Sequence, residues 1–170
     1  MDPRAFKTGP SRETTIRRDA RGRWFDGDQP LSHPNLVDAF DTWVDVSPEG
    51  RYCLRNAINW AYVQIEGAPL FVRAVEIVGP SVELRLSDGR KETLDPSTLR
   101  QDQDGLLYCS ARGGTLAAQF ERMATHQLEP LVQADEEGVF LHIDGEVVRP
   151  PIVEDPLSKP APKSYNVRRP

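Results

Sequence analysis

The chain has 170 residues, of which 38% are hydrophobic, with 15 prolines, 12 glycines and a formal net charge of −5. Its length fits one domain or two small coupled ones, and so many turn-forming residues favour short strands over long helices. Net charge is +1 over residues 1–13 and +2 over residues 154–170, so the body carries −8, which disfavours nucleic acid as a partner. No apolar run approaches the roughly 20 residues of a membrane span, and residues 1–20 lack the apolar core of a signal peptide, so no membrane contact and a cytoplasmic location are expected.

The two ends of the chain differ in composition from the body. Residues 1–13 show no apolar periodicity and are expected to form a flexible lead-in. Residues 154–170 contain four prolines and four basic residues, which predicts a flexible, Pro-rich basic tail. Between them, residues 14–153 are predicted to form an α+β domain, mainly antiparallel β, and the length also allows two coupled sub-domains over 14–60 and 61–153.

A turn-plus-aromatic pattern recurs along the body and predicts repeated β-hairpins. It begins with Asp19-x-x-Gly22-x-Trp24, after which an Asp-Gly pair follows at once. Asp tolerates turn geometry and Gly supplies a positive φ, so such a unit indicates strand, turn and strand. Related segments occupy residues 47–54, 102–108 and 135–145. Because any β-rich chain uses Asp-Gly turns, the recurrence also has a simpler explanation than an internal repeat.

Two helices and several further strands are predicted in chain order. Pro34 suits the first turn of a helix near 34–44, in which Leu36, Val37 and Phe40 lie on one face. Strands are predicted over 61–65, 70–78, 82–86 and 91–94, the last two joined by a Ser-Asp-Gly turn. Leu116, Phe120 and Met123 recur at helical spacing and predict a second helix near 115–127.

Four stretches of this sequence resemble the bacterial family known as domain of unknown function 1285. They are the Gly-x-Trp-Phe hairpin with its Pro-initiated helix in residues 16–40, the stretch 63–72 around Ala68-Pro69, the segment 112–118 with Arg122, and the closing Gly-Val-Phe hairpin over 138–146. Their order and spacing cover about residues 14–153. The resemblance implies an α+β fold with repeated motifs and no established activity, together with a suggested signalling or regulatory role.

No combination of residues predicts catalysis, a cofactor or a metal. The three histidines, His33, His126 and His142, share no helix or strand, whereas a zinc site needs three or four converging ligands. Cys53 and Cys109 stand in apolar, strand-like runs and are interpreted as reduced, buried thiols. A nucleophile elbow and a phosphate-binding P-loop are both absent from the sequence.

The strongest binding candidate is the segment Arg112-Gly113-Gly114-Thr115. If it begins the second helix, its free N–H groups and the helix dipole favour an anion, and Arg112 adds bidentate contacts to a phosphate or carboxylate. The alternative is a tight turn in which Arg112 pairs internally with Glu66 or Asp19.

Two functional hypotheses follow from the sequence. The first is a non-enzymatic interaction or regulatory module that contacts another protein through a sheet face or edge, with Phe25, Trp60 and Glu66 as surface or pocket candidates. The second is a small-anion or nucleotide-sensing domain that uses the Arg112–Thr115 segment.

Overall fold

A computed structural model describes residues 11–158, and within them it contains two α-helices and sixteen β-strands. Most of the predicted lead-in and tail, residues 1–10 and 159–170, lies outside the described residues. The elements, in chain order, are β1 (Ile16–Arg18), β2 (Trp24–Asp26), β3 (Gln29–Leu31), α1 (Pro34–Trp43), β4 (Val44–Val46), β5 (Tyr52–Arg55), β6 (Trp60–Tyr62), β7 (Gln64–Ile65), β8 (Leu70–Val78), β9 (Ser81–Leu86), β10 (Lys91–Thr93), β11 (Arg100–Gln101), β12 (Leu107–Ala111), β13 (Leu116–Phe120), α2 (Arg122–Gln127), β14 (Val132–Asp135), β15 (Gly138–Ile143) and β16 (Glu146–Val148).

The strands form four sheets that are antiparallel except at two pairings. The largest has the order β10-β9-β8-β13-β12-β11, with β8 and β13 parallel. A four-stranded sheet has the order β3-β2-β1-β7, with β1 and β7 parallel, and two three-stranded sheets are β4-β5-β6 and β14-β15-β16. The predicted α+β class with mainly antiparallel hairpins is therefore confirmed. The predicted sub-domain boundary after residue 60 falls inside β6, and this division stays a prediction.

The main core lies on the six-stranded sheet, where apolar side chains alternate along each strand. Val82, Leu84 and Leu86 of β9 are all buried on one face, as their period of two predicts. They pack with Leu70 and Phe120 in a cluster that also includes residues from α2 and β15. Each such side chain contributes about 1.5–3 kcal/mol on burial, so this sheet supplies much of the stabilisation.

The first helix agrees with its predicted position, although Leu36, expected on its apolar face, is exposed. Pro34 begins α1, where its fixed φ suits the first turn and its missing N–H leaves no helical hydrogen bond unmade. Val37, Phe40 and Trp43 follow at helical spacing and pack against a second cluster built around Trp24. This helix therefore covers the N-terminal sheets and supports β4, which starts directly after it.

The second predicted helix is mostly wrong. Residues 116–120 form β13, which pairs with β12 on one side and β8 on the other, and only residues 122–127 are helical. Leu116, Ala118 and Phe120 face the core with the period of a strand, whereas Met123, expected on the buried face, is 65% exposed. The sequence pattern was ambiguous because positions 116 and 120 lie on one face in either structure.

The recurring turns adopt one conformation at three of the predicted places. In residues 19–22, 47–50 and 102–105, the N–H of the last residue donates to the carbonyl oxygen of the first at 3.0, 2.9 and 3.1 Å. The glycine has a φ of 83° in all three, which only glycine adopts without cost. Residues 135–138 differ, because Asp135 and Gly138 pair directly within a shorter turn. Neither helix in the described residues is long and apolar enough to cross a membrane.

Candidate functional site

The segment 112–115, predicted to start a helix, instead joins β12 to β13. Arg112, Gly113 and Gly114 have φ values of 49°, 66° and 87°, a left-handed run that favours glycine. The N–H groups of Gly114 and Thr115 donate to carbonyl oxygens three residues earlier, at 3.1 and 3.3 Å. No helix begins at this segment, so the helix dipole that was expected to favour an anion there is absent. The N–H groups of Gly114 and Thr115 are both used in hydrogen bonds within the turn.

The Arg112 guanidinium forms an internal ion pair. Its Nε and one terminal nitrogen donate to Asp88 Oδ2 at 3.0 and 2.8 Å, and its other terminal nitrogen lies 3.4 Å from Asp45 Oδ1. The Asp88 side chain is fully buried and that of Arg112 is 11% exposed. The alternative of internal pairing is thus what the structure contains, although its partners are Asp88 and Asp45 and not Glu66 or Asp19.

The surface candidates Phe25, Trp60 and Glu66 lie in different environments. Phe25 is half-buried under the Arg17 guanidinium, 4.2 Å from the ring centre. Trp60 is buried, contacts the Tyr62 ring edge-to-face at 5.1 Å and lines an apolar cavity of about 190 Å³. Glu66 is exposed. Phe25 and Trp60 therefore do not form one exposed aromatic patch.

A second cavity, of about 280 Å³, lies beside the 112–115 turn and is called here the Arg100 pocket. Gly114 and Thr115 line it, so two of the four residues in the predicted segment do border a cavity with polar groups. Val46, Leu116 and Leu157 provide apolar walls. The polar side chains that line the pocket are Ser47, Tyr52, Arg100, Ser110, Thr115 and Ser158.

Local structure brings Arg100 and Ser110 together. Arg100 lies in β11 directly opposite Tyr108 of β12, and Ser110 stands two residues further along β12. Side chains two residues apart on a strand point to the same face, so Arg100 and Ser110 share a face of the sheet. Ala117, which pairs with Ser110 in β13, has too small a side chain to fill the space above them.

The Arg100 guanidinium is held by neutral groups. Its Nε donates to the Pro156 carbonyl oxygen at 2.6 Å, and one terminal nitrogen donates to the Thr98 carbonyl oxygen at 2.8 Å and to Ser110 Oγ at 3.2 Å. The second terminal nitrogen donates no hydrogen bond to any of residues 11–158. Two of the five N–H groups of Arg100 are therefore available to a ligand.

Arg100 differs from the other buried arginine in the part of the chain that the structure describes. Arg18 is fully buried and lies 3.3 Å from the Asp41 carboxylate, which neutralises it. Arg100 is 5% exposed, and no carboxylate of the described residues lies within ion-pair distance. Burial lowers the pKa of Arg100 from its usual value, yet an arginine stays charged in proteins. The nearby Asp155 carboxylate opposes this effect of burial on the pKa, but it forms no ion pair with Arg100. A buried cation without a hydrogen-bonded counter-ion is costly and marks a place where an anion is stabilising.

Hydroxyl groups around the pocket extend the set of possible contacts. Burial raises the pKa of the Tyr52 phenol, so this group is a protonated donor at neutral pH. Ser110 Oγ accepts from Arg100 and keeps its own proton to donate. A guanidinium with adjacent hydroxyl donors is an arrangement that suits carboxylate or phosphate oxygens.

Other reactive groups are placed differently. Cys53 and Cys109 are free and buried as predicted, and burial raises their pKa values to about 11 and about 12. Such thiols are protonated at neutral pH and are poor nucleophiles. Within residues 11–158, no three His, Cys, Asp or Glu side chains converge in a way that could hold a metal ion.

Sequence reasoning missed Arg100, although a signal for it was present. Arg100 follows the buried Leu99 and is itself buried, and Ser110 interrupts the otherwise apolar run Leu107-Tyr-Cys-Ser-Ala111 of β12. Buried polar residues without an obvious structural partner are candidates for ligand contacts. Of the predicted segment, Gly114 and Thr115 border the pocket, and the arginine that lines it is Arg100 and not Arg112.

Comparison with known proteins relates this α+β architecture to a family of solved structures. No protein-family model matches the sequence, and no curated protein matches it. The fold is similar to the crystal structure of a DUF1285 family protein from Silicibacter pomeroyi, with a TM-score of 0.63 and 20% identity, over 83% of this chain and 82% of that one. It is also similar to a DUF1285 family protein from Shewanella baltica, with a TM-score of 0.53 and 20% identity, over 69% and 91% of the two chains. At 20% identity the likeness establishes the fold alone. As a likeness of fold, it confirms the resemblance seen in the sequence.

Proposed function

We propose that this protein is a non-catalytic regulatory module that binds a small carboxylate or phosphate anion in the Arg100 pocket. The observation that carries the proposal is a buried arginine, a residue that is 5% exposed, whose guanidinium forms no ion pair with a carboxylate of the described residues and lines a cavity. The net charge of −5 supports a specific buried cation as the anion contact, since a diffuse positive field is not available.

The size of the cavity limits the ligand. A volume of about 280 Å³ is close to the lower end of the range for small-molecule sites, about 300 Å³. Apolar contact with Val46, Leu116 and Leu157 supports a compact anion that has a short hydrocarbon part. The nucleotide part of the sequence-based hypothesis stays a prediction.

Titration calorimetry of the full-length protein with inorganic phosphate, sulfate, acetate and butyrate tests the proposal. We expect at least one anion to bind, and Arg100→Met to weaken that binding roughly tenfold to a hundredfold, because bonds to charged groups contribute about 1.5–3 kcal/mol. Arg85→Met is the matched control: it removes an exposed arginine from β9 of the same sheet and should leave affinity unchanged.

A second variant separates loss of binding from loss of folding. Ala117→Leu keeps the guanidinium and its hydrogen bonds but extends a side chain into the cavity, so it should also abolish binding. Urea unfolding midpoints show whether each variant is folded. The proposal fails if none of the four anions binds the native protein, or if folded Arg100→Met binds as tightly as the native protein.

A further inference from the structure

The chain that follows the last sheet passes along β11 and reaches the Arg100 pocket. The Gln101 N–H donates to the Pro151 carbonyl oxygen at 2.9 Å, and the Val153 N–H donates to the Gln101 carbonyl oxygen at 2.9 Å. Gln101 Nε2 also donates to the Pro150 carbonyl oxygen at 2.9 Å. These bonds hold residues 150–153 beside Gln101, the residue next to Arg100. The residues that follow therefore lie at the pocket.

Residues 155–158 then form a turn that is called here the Asp155 turn. Asp155 Oδ1 accepts a hydrogen bond from the Leu157 N–H at 3.1 Å, which is the geometry of an Asx turn. The Asp155 carbonyl oxygen accepts from Ser158 Oγ at 2.9 Å. The side chains of Asp155 and Ser158 thus stabilise the local conformation of a segment that carries no regular secondary structure.

The Asp155 turn contacts the pocket in two ways. Its Pro156 carbonyl oxygen accepts the 2.6 Å hydrogen bond from Arg100 Nε, and Leu157 and Ser158 form part of the lining. A guanidinium is planar, so fixing Nε together with the terminal nitrogen bound to Thr98 and Ser110 fixes the orientation of the whole group. The remaining terminal nitrogen is therefore oriented before any ligand arrives.

We propose that the Asp155 turn is a positioning element of the anion site, which orients Arg100 and closes the pocket, so that anion binding and the conformation of residues 155–158 are coupled. This inference rests on the proposed function. Asp155 and Pro156 need not touch the anion themselves: they act through Arg100. Because coupling is reciprocal, an anion that prefers the closed pocket stabilises the turn to the same extent as the turn strengthens binding.

The charge of Asp155 and its hydrogen-bonding role can be separated by substitution. Asp155→Asn keeps a side-chain oxygen that accepts from the Leu157 N–H, and it removes a negative charge next to the pocket. Asp155→Ala removes both. A positioning role therefore predicts that the Asn variant binds anions at least as tightly as the native protein and that the Ala variant binds them more weakly.

Calorimetry with phosphate and butyrate on the full-length variants tests this inference. We expect Asp155→Ala to weaken binding roughly fivefold, the effect of losing one local capping bond of about 1 kcal/mol, and Asp155→Asn to stay within twofold or bind more tightly. Asp135→Ala is the matched control, because Asp135 makes the same bond to the Glu137 N–H in a hairpin that does not line the pocket. Hydrogen exchange at the Leu157 and Ser158 amides should slow when the anion is added.

The outcomes distinguish the two proposals. Loss of binding in Arg100→Met with unchanged binding in Asp155→Ala overturns the role of the turn and leaves the anion site intact. Unchanged exchange at residues 157–158 on anion addition also overturns the coupling. If Arg100→Met binds the anion like the native protein, the proposed function fails, and the role of the Asp155 turn fails with it.

Discussion

Replacing Arg112 with Met should destabilise the fold without removing the anion site. Arg112 was the ligand-binding candidate of the sequence, but its guanidinium donates two hydrogen bonds, of 3.0 and 2.8 Å, to Asp88 Oδ2. Asp88 has a side chain with no solvent exposure. The substitution therefore leaves the Asp88 carboxylate buried without its main positive partner. Removing one partner of a buried ion pair costs more than removing both, because the remaining charge stays buried.

The size of the effect follows from what remains around Asp88. Breaking a buried pair by removing one partner costs about 3–5 kcal/mol. Asp88 Oδ1 still accepts from the Arg90 N–H at 3.0 Å, and the Arg90 guanidinium lies 3.8 Å away with its side chain 63% exposed. This residual compensation places the expected cost near the lower end, at about 3 kcal/mol. With an m value of about 2 kcal/mol/M, the urea midpoint falls by roughly 1.5 M.

Equilibrium urea unfolding, followed by tryptophan fluorescence, measures this change. The double variant Asp88→Asn, Arg112→Met removes both charges and should recover part of the lost stability, whereas Arg90→Met, which removes an exposed and distant partner, should cost less than about 1 kcal/mol. Arg112→Met should bind phosphate or butyrate within twofold of the native protein when it is folded. A midpoint shift below roughly 0.5 M, or a double variant no more stable than Arg112→Met, would refute the account of Arg112 as a structural cation.

Two further predictions concern other buried ionisable groups. Asp41→Ala should lower the free energy of unfolding by at least about 3 kcal/mol, because Asp41 neutralises the fully buried Arg18 and accepts from Trp24 Nε1 at 2.9 Å. The pKa values of Cys53 and Cys109, raised to about 11 and about 12, should make stability fall at alkaline pH. The unfolded thiols lose their protons near pH 8.5, whereas the folded ones stay protonated to a higher pH. The free energy of unfolding is therefore unaffected by these thiols below about pH 8.5. Between about pH 9 and 11 it falls by roughly 1.4 kcal/mol per pH unit for each thiol.

Each of these predictions has a matched control. Asp38→Ala removes an exposed carboxylate one turn earlier in α1 and should change the urea midpoint little. For the thiols, Cys109→Ala should make unfolding free energy less steep between pH 9 and 11, whatever its effect at pH 7. An Asp41→Ala protein that is as stable as Asp38→Ala, or a Cys109→Ala protein with the native pH slope, contradicts the corresponding prediction.

Local sequence patterns predicted those elements whose residues interact with near neighbours. Pro34 and the 3–4 spacing of Val37, Phe40 and Trp43 specify α1, and the alternation of residues 82–86 specifies β9. The turns at residues 19–22 and 102–105 likewise depend on an Asp side chain that binds N–H groups within four residues of itself.

Residues 116–120 show where local pattern is insufficient. Leu116 and Phe120 fit a helix or a strand, and the choice was made by β8, whose residues 70–72 pair with residues 118–120 from 48 positions earlier in the chain. Once this strand forms, Gly113 and Gly114 must build a hairpin turn, and the helix dipole expected at that point cannot exist.

The sequence by itself determined an α+β chain of short hairpins, with Asp-Gly turns, one clear helix and two thiols in apolar strands, because these features depend on neighbouring residues and on burial of apolar surface. Only the tertiary structure decided which arginine faces a cavity. Arg112 and Arg100 are equally charged in the sequence, and their roles differ because Asp88, 24 residues from Arg112, neutralises one guanidinium, whereas backbone carbonyl groups and a serine hold the other. Long-range pairing of charges is set by the packing of sheets, and local sequence does not encode it.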